Sequence, residues 1–290
     1  MSKRKITVLG GDQRNLSLAN LLLKDDNDVN IFGFDKITHD IELEEEKELP
    51  MAIRDSDILI GPLPFTDDNK SLNMPFSSQK IKVDDLIKNM TKDQILIGGR
   101  IDVEFKNLAR DYGIQIVDYF EREEMQVLNA IPTAEGAIQI AMEEMPITLH
   151  NSNAMVLGFG RIGKVLSKML YGIGANVYVE ARNYTDISWI NVYGYKPVFL
   201  KDLGDYLPKM DVIFNTIPTI VLEEEMLNRI NPESLIVDLA SKPGGVDFDK
   251  AREMEINTVW ALALPGKVAP ITAAKCIKET IYNIIEELEV

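Results

Sequence analysis

One cysteine, two histidines and two tryptophans occur in 290 residues, and each scarcity excludes something. Cys276 alone makes neither an intramolecular disulfide nor a zinc cluster, which fits a reducing compartment, the cytoplasm. No apolar run approaches the ~20 residues of a membrane span. A basic start, Lys3-Arg4-Lys5, is followed by an apolar stretch that stops at Gly10-Gly11, too soon for a signal peptide. Cations are also in deficit: 31 Lys and Arg against 46 Asp and Glu leave a net charge of −15. A field of that sign repels nucleic acid and anionic membranes, so an anionic ligand needs a local basic pocket. What remains, 46% apolar and 27% charged, is an ordinary globular composition, and the length suits about two domains.

The first half alternates short apolar runs with helical patterns. Strands are expected at 6–9, 30–33, 57–60, 94–97 and 115–118. Such alternation predicts an α/β fold with a parallel sheet covered on both faces. Three of these strands run into Gly or Pro, at Gly10-Gly11, Gly61-Pro62 and Gly98-Gly99, and ligands of open α/β sheets collect at such carboxyl ends. A helix is expected over 131–145 with Pro132 in its first turn. A second βα series follows, with strands at 154–157, 177–179, 212–214, 235–237 and 258–260, and the chain closes on an apolar-striped helix at 272–288. The expectation is two doubly wound domains: a substrate-side domain over 1–130, a linking helix at 131–150, a dinucleotide-binding Rossmann domain over 151–270, and a C-terminal helix, 271–290, returning to the first domain. Acidic runs such as 42–48 and 286–289 read as solvated faces.

Gly158-Phe-Gly160-Arg161-Ile162-Gly163 follows a strand and opens a helix, the context that makes a glycine triplet a dinucleotide-binding turn. Gly158 would make the turn, Gly160 would let a pyrophosphate approach, and Gly163 would bring helix and strand together. The next strand ends in Glu180-Ala181-Arg182-Asn183. The position that bonds a free ribose 2′-hydroxyl in NAD-binding folds falls at Ala181, and Arg182 beside it suits a 2′-phosphate, so NADP is expected over NAD. Glu180 becomes the acidic residue if the register shifts by one. Two later strand ends, Asn215-Thr216-Ile217-Pro218 and the stretch 238–245, should stand at the nicotinamide side, with Thr216, Ile217 and Pro218 lining the cofactor and Ser241 and Lys242 facing substrate.

No histidine follows His150. Dehydrogenases of this architecture that oxidise 2-hydroxy acids use a late histidine as general acid–base, so an alcohol-to-ketone mechanism is disfavoured. His39, before an acidic run, reads as a surface residue, and His150 lies at the domain junction.

Gly10-Gly-Asp-x-Arg14, Pro132-Thr-Ala-Glu135-Gly136, the Gly158 motif with Ala181-Arg182, Asn215-Thr-Ile-Pro218, Asp238-Leu-Ala-Ser-Lys-Pro-Gly-Gly245 and Leu264-Pro-Gly-Lys-Val-Ala-Pro270 together resemble the dipicolinate synthase A-subunit family over nearly the whole chain. The resemblance implies a sporulating bacterium, a place in the mother-cell cytoplasm, the B subunit of dipicolinate synthase for a partner, and oxidation of dihydrodipicolinate or its hydrated precursor to dipicolinate. A ring carbon would give hydride to the nicotinamide while a ring proton leaves. Aromatisation makes that step downhill, so positioning matters more than a strong base, in keeping with the missing histidine. A dicarboxylate needs cations, and Arg14, Arg100 and Lys242 are the first candidates, with Lys267 next. Backbone amides at Gly10, Gly11 and Gly244 would add anion-binding groups. Lys242 and Glu135 are the candidate catalytic residues, Glu135 orienting a cation, acting as base or merely capping its helix. A homo-oligomer is expected and no metal. Two alternatives stay open: an NADP-dependent dehydrogenase of another small acid, similar to shikimate dehydrogenase, and a non-catalytic NADP-binding component of a complex.

Overall fold

The computed structural model describes residues 4–37 and 43–289, so His39 lies outside the described residues. The chain forms two compact units. Unit 1 holds the residues up to Leu128 together with those from Ala269 onward, and unit 2 is Asn129–Val268.

Unit 1 contains β1 (Lys5–Leu9), β2 (Asp28–Phe32), β3 (Glu44–Glu46), β4 (Ile58–Ile60), β5 (Ile95–Gly98) and β6 (Gln115–Asp118), in the spatial order β3-β2-β1-β4-β5-β6. Every pairing is parallel. The central strands are apolar on both faces because helices cover both, which is why they read as unbroken Ile, Leu and Val runs rather than alternating ones. The helix Pro270–Glu287 completes this unit: Ile277, Ile281, Ile284 and Ile285 are buried in one cluster with Leu18, Leu22 and Val29. Lys278 Nζ and the Tyr282 hydroxyl both donate to Asp25 Oδ2, at 2.6 and 2.8 Å, at the end of the helix Gln13–Lys24.

Unit 2 repeats the plan with β7 (Asn153–Leu157), β8 (Asn176–Ala181), β9 (Lys196–Phe199), β10 (Val212–Asn215), β11 (Leu235–Asp238) and β12 (Thr258–Trp260). Its order, β12-β11-β10-β7-β8-β9, is that of the doubly wound dinucleotide-binding sheet, and the crevice-forming reversal falls between β7 and β10.

Three elements differ from the reading of the sequence. The acidic run at 42–48 is not simply a solvated face, because β3 lies within it and the Glu45 carboxylate accepts from the Phe34 amide at 2.8 Å. β9 carries Pro197, tolerable because β9 is an edge strand. The helix expected from 131 begins earlier, spanning Glu123–Glu144, so Pro132 sits in its interior and Glu135, exposed near its middle, cannot cap it. The capping role is thereby removed.

Candidate functional site

The three glycines of unit 2 do different jobs. Gly158 has φ of +91°, and a Cβ there would stand 2.7 Å from Thr216 Oγ1. At Gly163 a Cβ would stand 2.1 Å from the Gly158 carbonyl oxygen, so only glycine lets the helix Arg161–Ile173 pack this close to the turn. Gly160 has nothing within 4 Å of its Cβ position, and it N-caps the same helix with no side-chain bond. An open face beside the first amides of a helix is the setting that accepts a pyrophosphate. Arg161 is exposed and Ile162 half-buried on the first turn.

Thr216 ties the β10 end to the turn, its Oγ1 and amide both donating to the Leu157 carbonyl at 2.8 and 3.0 Å. Ile217 packs against Gly158, and Pro218 is exposed. The fully buried Asp238 organises the next loop: Oδ1 accepts from Asn215 Nδ2 at 2.8 Å and the Ala240 amide at 3.0 Å, and Oδ2 accepts from the Gly245 amide at 2.8 Å. Gly245 lets the two loops touch, since a Cβ there would meet Asn215 Nδ2 at 2.1 Å. The strand-end loops are therefore fastened together, leaving Ser241 and Lys242 exposed, Lys242 with no side-chain partner among the described residues. Lys267 is exposed on a short helix, Leu264–Val268, which Gly136 admits against the turn carrying Glu135.

At the end of β8, Ala181 is buried and Arg182 is exposed without a side-chain partner among the described residues. Asn183 caps the helix Tyr184–Val192, its Oδ1 accepting from the Asp186 amide at 2.8 Å. Glu180 is turned inward, and its Oε2 accepts from the Gly158 amide at 3.1 Å. Burial pushes its carboxyl above the ordinary range, and the Gly158 amide and the Arg182 charge pull it part of the way back. Residue spacing alone did not reveal this contact; the β7–β8 register, with Leu157 opposite Glu180, produces it. His150 sits away from these loops, its Nδ1 3.0 Å from the Ile173 carbonyl beneath Gly174, before the start of β7.

In unit 1 the loops after β1, β4 and β5 lie together, but several of their expected ligand groups are already engaged. The Gly10 amide donates to Phe32 O and the Gly11 amide to Asn73 O, at 2.8 and 2.9 Å, so the anion-binding role expected for these amides is corrected. The Gly244 amide is likewise taken by Ser241 O at 2.8 Å. Arg14 is 6% exposed, paired through Nε and Nη2 with Asp12 and donating to Leu63 O, so its charge is neutralised within the fold. Arg100 is exposed with φ of +57°, held there by its amide on Asp118 Oδ1, and it lines a cleft of about 390 Å³ with Asp67, Asn69 and Asp102. Among the described residues no acidic, histidine and cysteine cluster could hold a metal, and no helix is long and apolar enough to cross a membrane.

A Rossmann sheet with a complete glycine turn is the dinucleotide-binding fold that dehydrogenases use, and the shikimate/quinate 5-dehydrogenase family model matches residues 139–262. A model of the N-terminal domain of the dipicolinate synthase A-subunit matches residues 5–120. The dipicolinate synthase A-subunit of Bacillus subtilis (strain 168) is 32% identical over 289 residues, covering 98% of this chain and 97% of that protein. The chain belongs to the dipicolinate synthase A-subunit family. The crystal structure of the family member from Bacillus halodurans matches with a TM-score of 0.88 at 28% identity, over 98% of this chain and 99% of the other. The crystal structure of the Bacillus subtilis protein also gives 0.88, at 30% identity over 100% and 98% of the two chains.

Proposed function

We propose that the chain oxidises dihydrodipicolinate, or the hydrated precursor after loss of water, to pyridine-2,6-dicarboxylate with NADP⁺ as oxidant, in the mother-cell cytoplasm during sporulation and in partnership with a B subunit. The observation that carries this reading is the Asp238-fastened loop, which holds Lys242 exposed, with no side-chain partner among the described residues, beside the strand ends that close the dinucleotide turn. Lys242 and Ser241 take a substrate carboxylate, and Lys267, in the same unit, is the further cation proposed for the dicarboxylate. With its pyrophosphate held at the glycine turn, NADP⁺ would supply the hydride acceptor. The ring loses a hydride and one proton, giving the aromatic product, NADPH and H⁺. Glu135 remains the proposed proton-handling or cation-orienting carboxylate.

The preference for the phosphorylated dinucleotide rests on Arg182, the exposed cation at the end of β8. Charge-assisted bonds to a 2′-phosphate contribute roughly 1.5–3 kcal/mol, so Arg182→Ala should weaken NADP⁺ binding about 10- to 100-fold and leave NAD⁺ unaffected. Calorimetric titration of both dinucleotides checks this. Catalysis is tested by mixing the purified chain with NADP⁺ and enzymatically generated dihydrodipicolinate and following NADPH and dipicolinate by their separate absorbances. Equimolar appearance of both supports the reading, with Lys242→Ala raising KM and sparing NADP⁺ affinity. Tight NADP⁺ binding without turnover, even after the B subunit is added, would favour the non-catalytic alternative.

A further inference from the structure

Asp238 is fully buried at the end of β11, and every hydrogen bond to its carboxylate comes from an N–H. Oδ1 accepts from the Asn215 side-chain amide and the Ala240 backbone amide, and Oδ2 accepts from the Gly245 amide, at 2.8, 3.0 and 2.8 Å. Three donors and no acceptor hold the group as the anion. Among the described residues no Lys, Arg or His side chain pairs with it, and Lys242, on the same loop, is exposed to water. Neutral donors solvate a buried charge without cancelling it, and such a charge is costly unless a cation answers it.

The position indicates which cation. Asn215 Nδ2 donates both to Asp238 Oδ1 and to the Ile217 carbonyl, at 2.8 and 3.0 Å, and Ile217 packs against Gly158 of the dinucleotide turn. The carboxylate is thus one side chain removed from a loop that touches that turn. It lies at the paired ends of β10 and β11, next to the strand reversal where the crevice opens. Of the two ligands in the proposed reaction, the dicarboxylate brings only negative charge. The oxidised dinucleotide brings a pyridinium, which hydride transfer turns into a neutral ring.

We infer that the Asp238 anion is the electrostatic partner of the oxidised nicotinamide, acting through its field rather than by contact, and that it makes the site prefer NADP⁺ to NADPH. This deepens, and rests on, the dinucleotide reading of unit 2. Aromatisation drives the hydride transfer, so a site that holds the oxidised form more tightly still turns over, and its weaker hold on NADPH speeds release.

The test is calorimetric titration of the full chain, without substrate, with NADP⁺ and with NADPH. The unaltered protein should bind NADP⁺ about tenfold more tightly, the scale of one partly screened charge pair. Asp238→Asn removes the charge at nearly constant volume and should close that gap, weakening NADP⁺ about tenfold relative to NADPH. NADPH bound by the unaltered chain as tightly as NADP⁺, or more tightly, overturns the inference whether or not the variant folds. So does an Asp238→Asn protein that loses both forms equally, because the carboxylate then serves only to fasten the loop. Failure of the unaltered chain to bind either form would instead sink the dinucleotide reading, and the inference with it.

Discussion

Glu180 carries a consequence for stability that needs no ligand. Its carboxyl is raised by burial, so over the interval between the unfolded-state value, about pH 4, and the raised folded-state value the native chain holds a proton that the unfolded chain has released. Stability from this group is therefore complete at acid pH and is lost as pH rises through the folded value. Glu180→Gln cannot ionise and removes that slope. The expected outcome is a melting temperature for the variant, relative to the unaltered chain, that is higher at pH 8 than at pH 5. Parallel melts across that range check it, and a difference constant with pH would mean that the carboxyl titrates normally. Among the described residues the neighbouring Arg182 is the one charge that acts on Glu180, so the comparison isolates one ionisation.

Among the elements, the C-terminal helix Pro270–Glu287 shows how far its sequence goes. The 3–4 spacing of Ala273, Cys276, Ile277, Thr280, Ile281, Ile284, Ile285 and Leu288 marks an apolar stripe, and the structure buries all of them except Leu288, which is half-buried where the helix ends. Ile281 is fully buried, and Ile281→Ala should lower stability by about 2–5 kcal/mol through lost contacts and an unfilled cavity. Urea denaturation measures that loss, and NADP⁺ affinity should be untouched because Ile281 lies in unit 1. The central strands were equally legible, since parallel strands buried on both faces leave continuous apolar runs. Two edge strands, β6 and β12, were read as well, but the other two were not: β3 is made of three glutamates and β9 contains a proline, and an edge that pairs on one side needs neither apolar residues nor every amide. Pro132 misplaced a helix start because a proline favours a first turn, yet this helix keeps it in the interior. At the site, the glycines were readable because each answers a local steric demand. The engagement of Arg14 and of the Gly10, Gly11 and Gly244 amides was hidden, because which carbonyl or carboxylate meets a donor is decided by how the loops fold.

For the whole molecule the chain order of the two units matters most. Unit 2 is one continuous stretch, Asn129–Val268, holding all six of its strands and its own buried clusters, so every strand of the dinucleotide sheet is present without the rest of the chain. Unit 1 is discontinuous: its core cluster takes Ala274, Cys276, Ile277, Ile281, Ile284 and Ile285 from the C-terminal helix, and Arg122 of the first segment pairs with Glu287 of the last. Without that helix the apolar faces of the helix Gln13–Lys24 and its neighbours meet water, at roughly 25 cal/mol for each Å² exposed. A fragment of residues 129–268 should therefore melt cooperatively and bind NADP⁺ with the affinity of the full chain, if the turn and Arg182 suffice for binding. A fragment of residues 1–128 should remain unfolded until a peptide of residues 269–290 is added, and helicity followed by circular dichroism during that addition measures the recovery. A first fragment that melts cooperatively by itself would mean that its six-stranded sheet outweighs the missing helix, and that the return of the chain to unit 1 is not a condition of its folding.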